Sequence, residues 1–435
     1  MQCVAMIAEQ ALVSKLTKRL IPYMFLLYIV AYLDRINVGY AALQLNKALK
    51  FDPAEFGLAG IFFIGYFLFE VPSNLIMQRT GARIWIARIL VTWGIISSAM
   101  MFVNGKPMFY ILRFLLGIAE AGFFPGMILY LTYWFPAEAR GRAIARFMTA
   151  TAIAGVIGGP LSGLLLKMNG VAGLAGWQWL FLIEGIPAVL LGFVTLVYLP
   201  DSPKHASWLT TEEKDWIVSR LQQEREQARH QAHHTLREAL SSGRVWTLAF
   251  IYFSVIMSFY GISFWLPQIV QSYSKLTDVQ VGFVSAIPYV AASIAMVIIG
   301  RSSDRMRERR FHVGISAMAA AAGLTAAAFL KVPGAELAAL SLAAVGIWGT
   351  LGPFWAMSSE VLSGTAAAAG IALINSVGNL GGFLGPYLIG LVRKQTDSFA
   401  LALLALAVFP FIGGLVVLLS AVLFARRASV PTRLQ

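Results

Sequence analysis

Apolar runs of helix length alternate with short polar stretches along almost all of this chain. Twelve such runs fall near residues 20–43, 55–77, 83–103, 108–134, 140–167, 177–199, 245–270, 279–300, 312–331, 336–358, 365–392 and 398–424. A helix needs about 20 residues to cross the hydrocarbon layer, and each run supplies roughly that. Only one polar interval is long, residues 200–244 between runs six and seven. The pattern predicts an all-α polytopic membrane protein of twelve transmembrane helices in two six-helix halves, 1–199 and 245–435. The segment 200–244 is then a cytoplasmic linker loop, charged and periodic enough for one or two short surface helices. His230, His233 and His234 lie on it and read as a solvated polar face rather than as metal ligands. A faint repeat relates the halves: GVIGGPLSGLLL (155–166) in run five and GGFLGPYLIGLV (381–392) in run eleven share glycines around a Gly-Pro step. Small residues let helix backbones approach, and Gly-Pro steps allow bending.

Composition agrees with the pattern. The 435 residues are 58% hydrophobic and 13% charged, and the mean hydropathy is +0.72. Soluble domains carry about 25% charged residues, so a globular enzyme with a large core is excluded. The formal net charge of +13 suggests nucleic acid until its distribution is examined. The basic residues sit in short loops, with 23 Lys and Arg on one side of the predicted membrane and 8 on the other. By the positive-inside rule both termini are cytoplasmic, and no nucleic-acid partner is implied. The first 14 residues lack a basic stretch and include Glu9, so run one reads as an uncleaved anchor rather than a signal peptide. Cys3 is the one cysteine, which excludes an internal disulfide.

Against this background the charges inside the runs are informative. Asp34 and Arg35 interrupt run one, and Arg113 and Glu120 lie seven apart in run four. That spacing puts the second pair on one helix face, roughly 10 Å apart. An unpaired charge at the membrane centre costs roughly 2.5–3.5 kcal/mol on insertion scales. Buried ion pairs are poor stabilisers, so four charges on two helices point to a solute pathway rather than to glue. Arginine offers a carboxylate a planar fork and keeps its charge, while a desolvated carboxylate can carry a proton. Asp34 and Glu120 are therefore candidate proton-coupling groups, with Arg35 and Arg113 holding an anion when the two acids are neutral. Glu70 and Arg88 read as an ion pair near the inner face or as snorkelling groups. Glu184 is either a third titrating group or a packing contact. Tyr66, Trp355, Asn375 and Asn379 are candidate substrate contacts. The spans contain no HExxH pair or nucleophile motif, so an enzyme is not expected.

With these residues in view, the chain resembles the major facilitator superfamily over nearly its whole length. The loop GRSSDRMRERR (300–310) is similar to that superfamily's Gly-x-x-x-Asp-Arg motif, which implies a gating role for Gly300, Asp304 and Arg305. The matching loop SNLIMQRTGAR (73–83) is degenerate, with Gln78 where the family usually has Asp. YLDRINVGYAAL (32–43), FFIGYFLFEVPSNL (62–75), LRFLLGIAEAGFFPGMILYLTYWFP (112–136) and GWQWLFLIEGIPA (176–188) resemble the anion:cation symporter family, near its tartrate, sugar-acid and aromatic-acid permeases.

The resemblance implies proton handling by Asp34 and Glu120, and substrate binding by Arg35. Arg113, Tyr66, Trp355 and Asn375 match other site positions, and Thr151 stands near a family glutamine. The implied function is import of an organic anion, a tartrate-like dicarboxylate or sugar acid, by proton symport with alternating access. The alternatives are a hydroxyphenylacetate or phthalate symporter, an anion exchanger and a solute sensor. No cofactor is implied beyond the coupling proton. The implied setting is the bacterial inner membrane, and the family norm is a monomer.

Overall fold

In the computed structural model, residues 2–230, 241–361 and 365–425 are described, and every regular element among them is helical. The His233 and His234 expectations fall outside these residues. Among the described residues, eleven helical spans are long and apolar enough to cross a membrane. The remaining predicted run, 365–392, forms two abutting helices, Thr365–Asn379 (15 residues) and Gly381–Thr396 (16 residues). Gly378, Gly381 and Gly382 crowd the junction, and glycine costs a helix interior about 1 kcal/mol relative to alanine. Large apolar side chains lie exposed along the spans, Val197 at 91% and Leu68 at 53% among them. Such surfaces suit lipid rather than water.

Three boundaries differ from the sequence expectation. Helix α1 runs Gln2–Ala48, well upstream of the predicted start at 20. Its polar beginning stays helical because Leu12, Leu16 and Leu20 form a buried stripe at spacing four, while Lys18 and Arg19 remain exposed. After α2 (Pro53–Gly57), α3 (Ile61–Thr80) and α4 (Ala82–Ala99), run four divides into α5 (Lys106–Glu120) and α6 (Phe123–Thr132). Ala121 leaves the helical conformation at ψ 130°, and Gly122 has φ +86°, a left-handed conformation that glycine adopts without strain. Run five likewise divides into α7 (Ala137–Met148) and α8 (Ala150–Leu166). The later elements are α9 (Gly176–Tyr198), α10 (Thr211–His230), α11 (Gly243–Tyr273), α12 (Asp278–Met306), α13 (Arg310–Phe329) and α14 (Pro333–Val361). The pair 365–379 and 381–396 are α15 and α16, and α17 is Phe399–Ala425.

The chain forms two compact units. The first comprises Met1–Phe51, Ala59–His233 and Leu276–Val284. Within it the glycines of run five meet the start of α12: a Cβ on Gly159 would overlap the Gly282 carbonyl, and Gln44 donates to Asp278 at 2.8 Å. Helices α3 and α5 are equally close, because a Cβ on Gly117 would collide with the Phe62 carbonyl oxygen. Part of the polar segment after α9 also packs here. Trp208 stacks on Trp134 at 5.7 Å, and Ile217 and Leu221 of α10 are buried. Lys15–Glu213 (2.7 Å), Arg140–Glu224 (3.2 Å) and Arg220–Glu138 (2.6 Å) pin α10 to the unit.

The second unit comprises Asp52–Leu58, His234–Lys275 and Ser285–Gln435. Here the glycines of run eleven meet α2: a Cβ on Gly390 would overlap the Pro53 carbonyl, and Gly57 lies against Pro386. Asp52 pairs with Lys394 at 2.9 Å and caps α2, accepting from the Glu55 N–H at 2.8 Å.

Gly117→Ala tests the α3–α5 approach. Relief of its overlap requires backbone movement, so thermal unfolding of the purified protein should show a loss of about 1–3 kcal/mol. An unchanged melting temperature would mean that the helices part freely. The Lys15–Glu213 contact makes a second prediction. Lys15 holds the Glu213 carboxylate below its ordinary range. The stabilisation is therefore complete above the unfolded glutamate value of about 4.3 and is lost as pH falls through the lower folded value. An exposed pair contributes roughly 0.2–1 kcal/mol, so Glu213→Gln should speed hydrogen exchange of α10 by up to about fivefold at neutral pH. Corrected for intrinsic rates, that difference should vanish in acid.

Candidate functional site

All four charges of runs one and four are buried in the first unit, Arg113 and Glu120 at 0% and 1% exposure. Consecutive helical residues point about 100° apart, and Asp34 and Arg35 accordingly face different neighbours. Arg35 Nη2 donates to Glu120 Oε1 in a buried ion pair. Its guanidinium lies 5.5 Å from the Phe62 and Tyr66 ring centres. Arg113 approaches the same Phe62 ring at 5.2 Å and donates through Nε to the Ala59 carbonyl at 3.2 Å. Phe62 is thus a shared aromatic partner for both arginines, worth roughly 0.5–2 kcal/mol per cation. Glu120 closes α5, where the helix dipole disfavours a carboxylate, and Arg35 supplies the compensating charge.

Asp34 is served by neutral donors: Trp93 Nε1, Ser97 Oγ and, at 3.1 Å, Asn37 Nδ2. No ion pair joins it to an arginine among the described residues. The expectation that both acids restrain the two arginines is therefore met by contact only for Glu120 and Arg35. Tyr66 is buried beside Arg35. Glu184 accepts from Ser162 Oγ at 2.9 Å, which ties α9 to α8. Arg88 lies 3.9 Å from the Trp85 ring centre and makes no ion pair with Glu70 among the described residues.

The remaining candidates belong to the second unit. Asn375 and Asn379 are buried one turn apart on α15, and Gly378 between them packs against Tyr252. Trp355 joins Tyr252 and Phe354 in an aromatic cluster with ring centres 4.9–5.4 Å apart. In the loop motif, Arg305 makes no ion pair among the described residues, Gly300 has no side chain to offer, and the partner of Asp304 is Arg309, at 2.6 Å. Arg309 also reaches Glu360 at 3.2 Å. Burial works against the Arg309 charge, but Asp304 and Glu360 outweigh it and raise its pKa above the usual value.

Sequence reasoning missed Phe62, Trp93, Ser97, Tyr252 and Arg309. It also missed Asn37, whose place three residues after Asp34 on the same helix face was the signal that could have found it. The others come from neighbouring helices or, for Arg309, from a loop rich in equivalent arginines.

The described residues thus combine lipid-facing helices with buried charges drawn from several spans. A family model described as Major Facilitator Superfamily matches residues 24–386. The chain belongs to that superfamily. It is a multi-pass membrane transporter and not an enzyme. A protein of Agrobacterium vitis named "Putative tartrate transporter" is 50% identical over 90% of this chain and 87% of its own length. A "Quinolone resistance transporter" of Acinetobacter baumannii is 44% identical over 93% and 94%. The crystal structure of a bacterial homolog to the human lysosomal transporter Spinster shares the fold, with a TM-score of 0.77, 17% identity and coverage of 94% of this chain and 98% of that one.

The Arg35–Glu120 pair of this superfamily member is open to a double-mutant cycle. Arg35→Ala leaves a buried carboxylate unpaired and should destabilise by about 3–5 kcal/mol. Adding Glu120→Gln removes the stranded charge and should recover much of that loss in thermal unfolding. Additive losses would show that the two side chains are not coupled.

Proposed function

We propose that this transporter imports an organic anion, a tartrate-like dicarboxylate or sugar acid, together with protons across the bacterial inner membrane, with both termini cytoplasmic. The observation that carries the reading is the buried Arg35–Glu120 pair beside Arg113. A substrate carboxylate and the Glu120 carboxylate compete for one guanidinium. Protonating Glu120 frees Arg35, and its planar fork can then take the substrate in bidentate fashion. Returning the proton to the cytoplasm restores the internal pair and expels the anion. Asp34 takes the second coupling role. The Tyr66 ring lies beside Arg35, and Asn375, Asn379 and Trp355 of the second unit keep the substrate-contact role that the sequence gives them. Gly300, Asp304 and Arg305 retain the gating role implied by their motif, with Arg309 joining it through its ion pair to Asp304. The name of the Agrobacterium vitis relative supports tartrate as the first substrate to try.

A second reading is favoured by the Acinetobacter baumannii relative, whose name assigns it quinolone resistance. A quinolone also carries a carboxylate, so the same arginines could serve export.

Reconstituted liposomes with an inward proton gradient separate the two. Labelled tartrate should accumulate, a protonophore should collapse the gradient-driven uptake, and Arg35→Ala should abolish it. Asp34→Asn and Glu120→Gln should lose uphill uptake. Normal accumulation in both would remove their coupling roles. A wild-type protein that moves a quinolone and ignores tartrate would transfer the assignment to export.

A further inference from the structure

Arg88, on α4 of the first unit, is a cation that the transport scheme leaves unused. It lines a crevice of about 320 Å³ between α3 and α4, together with Phe69, Pro72, Ile76, Trp85 and Ile118. Phe69 and Ile76 are 42% and 40% exposed, so the crevice opens on the apolar outer face of the unit. Trp85 is fixed there by its Nε1 donation to Ser73 Oγ at 3.0 Å, and the guanidinium lies 3.9 Å from its ring centre. Among the described residues Arg88 has no carboxylate partner, and its Nε is buried without an acceptor. Asp201, the acid beside the α3–α4 connection, is already held by Arg83 through the backbone N–H at 2.9 Å and the side chain at 3.7 Å. A guanidinium has five donors, no acceptor and a permanent charge. In a lipid-facing groove it calls for an anion that the protein does not provide.

We propose that this crevice is a binding site for an anionic phospholipid, whose phosphodiester sits on Arg88 and whose acyl chain follows Phe69 and Ile76. Depth supports the assignment. Arg88 lies six residues, roughly 9 Å, inside the Ala82 end of α4, within reach of the headgroup level for a long side chain. A tryptophan beside it is the usual interfacial residue. Arg79 and Arg83 flank the same end, and basic pockets between helices on the cytoplasmic side suit anionic headgroups. A free anion would gain nothing from the apolar walls, which favours a lipid over phosphate or the transported substrate.

Native mass spectrometry of the purified transporter tests this with dioleoyl-phosphatidylglycerol and dioleoyl-phosphatidylcholine as probes. The wild type should retain phosphatidylglycerol over phosphatidylcholine by about tenfold, the size of one charge-assisted contact. Arg88→Gln should erase that preference, Arg88→Lys should keep most of it, and Arg301→Gln in the second unit should leave it intact. Equal retention of both lipids by the wild type overturns the proposal without reference to any variant. So does undiminished phosphatidylglycerol binding in a monodisperse Arg88→Gln protein. Displacement of the lipid by inorganic phosphate or tartrate would assign the site to a free anion and also overturn it.

Discussion

A charge in hydrocarbon has to be answered by an opposite charge or by well-placed dipoles, and the first unit is organised around that requirement. Arg35 and Glu120 come from helices far apart in sequence and neutralise each other where water is excluded. An ion pair so placed adds little net stability, because desolvation offsets the attraction. On the proposed reading its value lies in being breakable by the right competitor. On that reading, a proton for the acid together with a carboxylate for the base reopens the pair without leaving a bare charge behind. The pair can therefore remain in a bundle that would be no less stable with leucine in both places.

The backbone around the pair serves the same requirement. Gly117 lets α5 touch α3, and that contact brings Phe62 to Arg113 and Arg35 together. One turn later Glu120 ends α5, and Gly122, with φ +86°, turns the chain into α6. A side chain at 122 would strike Ser73 of α3, so the break is tied to packing as well as to conformation. Glycine here does two opposed things within six residues: it holds a helix close and then it stops it.

What was legible in the sequence divides along physical lines. Apolar length is a local property, and it marked every predicted span, including runs four, five and eleven, which the structure renders as pairs of shorter helices. Charge inside an apolar run is also local, and it exposed Asp34, Arg35, Arg113 and Glu120. Depth and helix face follow from spacing, so Arg113 and Glu120 could be put on one side of α5. Partnership is not local. That Asp34 would face Trp93 and Ser97, or that one ring would serve two arginines, depends on which helices pack together. The same limit explains the loop motif, where Arg305 and Arg309 carry identical chemistry and only geometry selects Arg309 for Asp304. The breaks after Glu120 and at Leu380 had a visible signal in clustered glycines, but glycine-rich stretches also occur in unbroken spans. The glycine repeat of runs five and eleven was faint as sequence. In each unit it is the surface on which a short segment docks, 276–284 in the first and 52–58 in the second.

The two acids are not equivalent, and the difference bears on how coupling would operate. Glu120 is bound to a cation, so a proton arriving there breaks an ion pair and changes the charge available to a substrate. Asp34 is bound to three neutral donors, so a proton there rearranges hydrogen bonds and releases no arginine. Any effect of Asp34 on the anion has to pass through geometry. It is covalently next to Arg35, and its partners Trp93 and Ser97 belong to α4. Loosening those bonds frees α1 against α4, and with it the direction in which Arg35 is presented. One acid would then act on the arginine by competition and the other by orientation. Such a division allows one proton to be tied to substrate capture and another to movement of the helix that carries the arginine.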